Sequence, residues 1–277
     1  PRQRPAMAAG VPSGAGTLTA TADNTVRFEN DIAQDSRLDL MVRGDVAEFR
    51  GDTTVGFIDV TTVSQALFEK TLTATEIDPY VTTDATNHAI RVSGDQVFLK
   101  GDVTATAENS KIQVVADELM LGGDVTGTAE IDFVGALTTM LTKDGETTLT
   151  ADYVRLNDVT IAAGGEAKSL VVEGDAELNG DIYTNGVTVN GSTFLKGDVD
   201  VFADGGDIIL GADTDDTVSG SHDLVLKADN ITVNGDVSVG SLTADAIGLE
   251  GGDITFNGNF LYADGDITVR GFGDVTA

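Results

Sequence analysis

The chain has no cysteine and no tryptophan, and among its 277 residues there are only two histidines and four prolines. Without cysteine there are no disulfides, thiolate metal sites or cysteine nucleophiles, and either redox compartment is compatible with the sequence. Three of the prolines precede residue 13, so Pro79 alone interrupts the body, which permits long uninterrupted backbone pairing. Aromatic residues supply only 5% of the sequence against 41% apolar residues overall, mostly Val, Ile, Leu and Ala, a supply suited to thin stacked strands. Basic residues are scarce as well: 16 Lys and Arg stand against 46 Asp and Glu, giving a formal charge of −30. Such a surface repels nucleic acid and anionic membranes, and fits a saline, divalent-rich extracellular setting as well as plain solubility. No apolar run approaches a membrane span, and Pro1-Arg2-Gln3-Arg4-Pro5 lacks the apolar stretch of a signal peptide. A chain that starts with Pro and stops inside a recurring phrase reads as a processed product or part of a longer protein.

That phrase is Gly-Asp. It occurs 13 times, where random pairing of the Gly and Asp present would give about four, and in ten cases Val or Ile follows. A turn residue is thus repeatedly followed by the opening of a strand. Phe98-Leu99-Lys100-Gly101-Asp102-Val103 recurs identically at Phe194-Leu195-Lys196-Gly197-Asp198-Val199, with Phe260-Leu261 and Gly265-Asp266-Ile267 as a looser copy. A second phrase starts at Ala116-Asp117, Ala228-Asp229 and Ala244-Asp245 and runs through apolar residues to the next Gly-Asp.

Constant short strands with variable spacing predict an all-β parallel β-solenoid, because turns can lengthen without disturbing stacked strands. About nine to twelve coils of roughly 20 to 30 residues would form a rod of about 45 to 60 Å. In that arrangement Val199, Ile208, Val237, Ile254 and Ile267 point inward, Gly supplies a positive φ at each corner, and Asp bonds nearby backbone. The alternative is a β-sandwich array with Gly-Asp hairpins. Residues 1–16 read as a flexible or extended arm, 17–165 as a less regular β region with insertions, and 166–277 as regular solenoid repeats. Within the middle region, Thr62 to Lys70 carries a weak helical spacing and Phe133 to Leu141 is ambiguous, so both are candidate short helices.

The phrases Leu224-Val225-Leu226-Lys227-Ala228-Asp229-Asn230-Ile231-Thr232-Val233-Asn234-Gly235-Asp236-Val237 and Leu249-Glu250-Gly251-Gly252-Asp253-Ile254-Thr255 resemble the degenerate repeats of filamentous haemagglutinin-type proteins. The resemblance covers residues 90 to 277 and is strongest after Leu170. It implies a long secreted right-handed β-helix used for adhesion or as a surface filament.

Chemical motifs are few. His88 and His222 have no nucleophile pattern beside them and read as loop residues, and both the Gly-x-Ser-x-Gly elbow and the Gly-Lys-Ser/Thr phosphate loop are absent. Parallel β-helices include polysaccharide lyases and hydrolases, so a carbohydrate-active enzyme is the rival reading, testable by whether several carboxylates and an Arg converge on one sheet face. Asp213, Asp215 and Asp216 form the candidate metal site, for calcium, because alternate and adjacent carboxylates can supply several hard oxygens; a solvated acidic loop is the plainer reading. Arg43-Gly44-Asp45 spells an attachment tripeptide, but with 13 Gly-Asp pairs it reads as a turn. Thr17, Leu18, Thr19, Ala20, Thr21 and Ala22 alternate as an edge strand would, and form the candidate assembly segment. The sequence therefore predicts a non-catalytic extracellular or cell-surface structural or adhesive protein that forms a homo-oligomer or polymer, with a cell-surface or polysaccharide receptor.

Overall fold

The computed structural model describes residues 16–33, 38–77, 88–163, 166–246, 252–258, 261–271 and 274–276. The arm up to residue 15, Pro79, Phe260, and Leu249 to Gly251 of the second resembling phrase lie outside them. The described chain is all β, with 29 strands and no helix, wound as a parallel β-solenoid of about 11 turns.

Every turn passes through three faces, A, B and C. In early turns a twelve-residue strand covers faces A and B, as in Leu38–Phe49, Phe57–Phe68 and His88–Leu99. Each such strand bends at a register irregularity, between Gly44 and Val46 in the first, and a short strand such as Thr53–Val55 follows on face C. In later turns the faces have separate strands, for example Thr217–Ser219, Asp223–Ala228 and Ile231–Val233. Register steps vary from 17 residues, Ala176 to Thr193, to 32, Ile58 to Ile90, yet the rungs stay aligned. Extra residues are absorbed at the corners, outside the stacked strands.

The core consists of columns running along the solenoid. On face A one column runs from Leu18 through Leu40, Ile58, Ile90, Ile112, Ile131 and Val154 to Leu261 without a break in register. On face B, Phe28, Phe49 and Phe68 stack with centroids 4.9 and 4.4 Å apart, the second pair within 3° of parallel. Leu99 and Leu121 continue that stack. Because like sits on like at the sheet spacing, a few branched residue types pack densely without large aromatics.

Four differences from the sequence reading have physical causes. Thr62 to Lys70 falls largely in the strand Phe57–Phe68, and Phe133 to Leu141 in Glu130–Leu141, so neither is a helix. Val60, Thr62, Ala66 and Phe68 are buried, and this period-two pattern prevails because adjacent turns supply backbone partners on both sides. Val199, Ile208, Val237 and Ile254 are buried as expected, but Ile267 is 44% exposed. It keeps the inward register, opposite Leu242, in a turn that has nothing described stacked beyond it on that face.

The corner glycines are the third difference. Of the Gly-Asp glycines in the described residues, only Gly174 has a positive φ. At most others the requirement is space: a Cβ on Gly101 would lie 2.5 Å from the Lys70 carbonyl carbon, and one on Gly123 would lie 2.5 Å from the Gly101 carbonyl oxygen. The fourth concerns the aspartates, which bond the backbone of the next turn, not their own. Asp102 accepts from the N–H of Asp124 at 2.9 Å, Asp124 from Thr148 at 2.9 Å, Asp175 from Ser192 at 2.8 Å and Asp181 from Asp200 at 2.8 Å. Gly-Asp is thus a stacking unit, with Gly admitting the neighbouring turn and Asp fastening it.

Candidate functional site

The densest cluster of ionisable groups lies on the outer side of face A, where the register aligns residues about twenty apart in sequence. Lys111, Glu130 and Tyr153 occupy one row, and Gln113, Asp132, Arg155 and Glu177 the next. The Lys111 ammonium reaches Asp132 at 2.8 Å and Glu130 at 3.1 Å. The Arg155 guanidinium reaches Glu177 at 3.0 Å, Glu130 at 3.6 Å and Asp132 at 3.9 Å. Lys196 approaches Glu177 from the following turn at 3.9 Å. Lys111, Asp132 and Glu177 are buried.

Three carboxylates and an arginine therefore converge on one sheet face, the arrangement that favours a carbohydrate-active enzyme. Burial pushes Glu177 up, but hydrogen bonds from Tyr153, Arg155 and Asn179 outweigh it and hold the carboxyl below its ordinary value. Both Glu177 oxygens are occupied, one by the Tyr153 hydroxyl at 3.0 Å and the other by Arg155 at 3.0 Å. Burial, helped by the Glu177 bond and charge, pushes Tyr153 up to about 12, so it remains a phenol. A general acid at neutral pH needs a raised carboxyl, and a general base needs a free oxygen. Glu177 has neither, and the ion pairs of the cluster tie consecutive turns together. Sequence reasoning missed it because no two of its members are near neighbours except within Lys111/Gln113, Glu130/Asp132 and Tyr153/Arg155. Only the rung alignment joins them.

The expected calcium residues occupy the corner between Ile208–Leu210 and Thr217–Ser219. Asp216 accepts from the N–H groups of Ala212 and Asp213 at 2.8 and 3.1 Å, and Asp213 accepts from that of Asp215 at 2.9 Å. These bonds close the turn locally. Among the described residues no group of three or more His, Asp or Glu is arranged to hold a metal ion.

The assembly segment lies mostly in the strand Gly16–Thr21, which is the first described rung and pairs in parallel with Leu38–Arg43 of its own chain. Arg43 donates to the Asp59 carboxylate, and Asp45 accepts from the Ser64 hydroxyl at 2.5 Å, so the tripeptide at Arg43 is built into the strand Leu38–Phe49 and its charged ends have partners. His88 is a buried strand residue, contrary to the loop expected, and His222 lies at a corner 3.6 Å from Asp198.

Face B carries a second feature that the sequence did not disclose. Its outer row reads Leu67, Phe98, Met120, Met140, Thr160, Tyr183 and Phe202 on successive turns. Tyr183 is 42% exposed and meets the Phe202 ring edge-on at 6.4 Å. Arg27 and Glu48 precede this run in the row, joined by a hydrogen bond of 2.5 Å. Lys227, whose ammonium lies 5.2 Å from the Phe202 ring centroid, Asp245 and Arg270 follow it.

No helix among the described residues is long and apolar enough to cross a membrane. No protein family, curated protein or solved structure matches the chain.

Proposed function

We propose that the chain is a non-catalytic structural or adhesive element of the cell surface or extracellular space, a subunit or segment of a filament or matrix of the filamentous haemagglutinin type. The observation that carries this reading is the distribution of chemistry. Among the described residues, outer side chains recur in rows over many turns, and the dense ionic cluster of face A is paired internally. A surface of this kind suits a long receptor, such as a cell-surface polysaccharide, more than a small substrate. Joining of such rods through strand edges would supply the filament that this reading requires. Calcium at Asp213, Asp215 and Asp216 would be an accessory to that role.

The rival, a polysaccharide lyase or hydrolase, rests on the convergence of Glu130, Asp132 and Glu177 on Arg155. One experiment separates them: the purified chain is applied to a panel of immobilised and soluble polysaccharides, reading retention together with release of reducing ends and unsaturated products. Retention without product is expected. Turnover that disappears in Glu177→Gln would replace the structural reading with the enzymatic one.

A further inference from the structure

We propose that two copies of this chain associate side by side and antiparallel through the outer row of face B. The inference does not depend on an adhesive role. Scattered apolar side chains are ordinary on a protein surface, but a continuous stripe marks a contact surface. From Leu67 to Phe202 the row spans six rung steps, about 29 Å at sheet spacing, and Thr160 is its one polar member.

The charges at its ends say what covers it. Taken in rung order, a two-fold axis through Met140 places Leu67 opposite Phe202 and Phe98 opposite Tyr183. The same axis places Glu48 opposite Lys227 and Arg27 opposite Asp245, so these four positions meet opposite charges; Glu48 is also bonded to Arg27 and Arg50 of its own chain, and Arg270 lies beyond the partner's first described rung. A parallel arrangement sets Glu48 on Glu48 and Lys227 on Lys227, and a shift of one rung breaks both charge matches. In a chain with 46 acidic and 16 basic residues, a cation opposite an acidic residue at each end of the row is a specific match. From Arg27 to Asp245 the row runs ten steps, about 48 Å. With a width of about 15 Å this gives about 700 Å² per partner, close to the roughly 800 Å² of a stable standard interface. The flanking Glu118 and Asp158 face each other across the axis as like charges, a repulsion that salt screens together with the attractive pairs.

Sedimentation of the full chain at about 50 µM tests this, a range in which an interface of this size is populated. A species of two chains is expected, and Met140→Glu, which places two carboxylates on the axis, weakens it by about tenfold or more without lowering the melting temperature. Glu48→Lys and Lys227→Glu each weaken the dimer, and the double variant restores it. Because the chain has no cysteine, Met140→Cys adds a single thiol at the axis. A short bis-maleimide then crosslinks it far faster than Val63→Cys, an exposed position elsewhere. A monomer at that concentration, or a dimer indifferent to Met140→Glu, overturns the proposal, as does failure of the charge swap to restore pairing. A ladder of larger species unaffected by Met140→Glu also overturns it and points to end-to-end stacking alone.

Discussion

Gly101 and Gly197 hold the same place in the same hexapeptide, yet their surroundings differ. The first copy turns the corner from face B to face C and the second from face A to face B. At Gly101 a Cβ would press on the Lys70 carbonyl and on the Thr71 nitrogen, at 2.5 to 2.8 Å, all backbone atoms. At Gly197 the nearest atom is the Asn179 carbonyl oxygen at 3.3 Å, which can yield by a few tenths of an ångström. Gly101→Ala is therefore expected to destabilise by about 1–3 kcal/mol, as overpacking against an unyielding wall does. Gly197→Ala is expected to change stability by less than about 0.5 kcal/mol. Parallel denaturant melts of the two variants check this, and equal losses would show that glycine serves the corner conformation itself. The sequence revealed that Gly-Asp marks a corner. It could not reveal why, because the atoms that face each glycine belong to the preceding turn, some thirty residues upstream of Gly101 and eighteen upstream of Gly197.

Strands in this fold are defined by their columns, and the columns tolerate a small number of polar members. Thr139 lies between Leu119 and Val159, and Thr193 between Ala176 and Val218, with their hydroxyls buried and without a hydrogen-bond partner. Thr147 is in the same condition opposite Leu170. An unpaired buried hydroxyl costs about 1–3 kcal/mol, and valine has nearly the same shape. Thr139→Val and Thr193→Val should each stabilise, raising the melting temperature by about 2–4 °C per kcal/mol recovered in a chain of this size. A lower melting temperature would mean that these hydroxyls are bonded within the core. The period-two alternation that announces a strand was legible at Thr17 to Ala22 and throughout the later turns. It misled at Thr62 to Lys70, where Val63 is 68% exposed at the bend between two faces and Leu67 belongs to the outer row of face B. Apolar residues on both sides of a strand mimic helical spacing. The ion cluster and the apolar row share a cause of invisibility: each takes one or two residues per turn, and turns of unequal length conceal the period.

Charge acts on the whole molecule. Hydrogen bonds from the Thr71 hydroxyl and N–H hold Asp52 below its ordinary value, and the Lys168 hydrogen bond and charge do the same for Asp144. The Arg27 hydrogen bond lowers Glu48 against the cost of burial. At Asp124 burial pushes upward, but bonds from Lys143 and the Thr148 N–H outweigh it. For all of these the unfolded chain binds protons first as pH falls. Their stabilisation is therefore complete above the ordinary carboxylate range, near pH 4, and is lost as the pH drops through the lowered folded values. Asp200 has the opposite sign, since burial and then the charge of Asp181 raise it, so it opposes folding when ionised and is relieved by protonation. General repulsion at a charge of −30 is likewise relieved on mild acidification and by salt. The expected profile at low salt is a melting temperature that rises from pH 7 to about 5 and falls steeply below about 4. Added salt should raise it more at pH 7 than at pH 5. Asp200→Asn isolates the second sign: it should raise the melting temperature at pH 7, with the gain shrinking as the pH falls and wild-type Asp200 takes up its proton. A gain that persists undiminished at low pH would mean that the residue is destabilising through its shape or polarity, and that Asp181 and Asp200 do not repel.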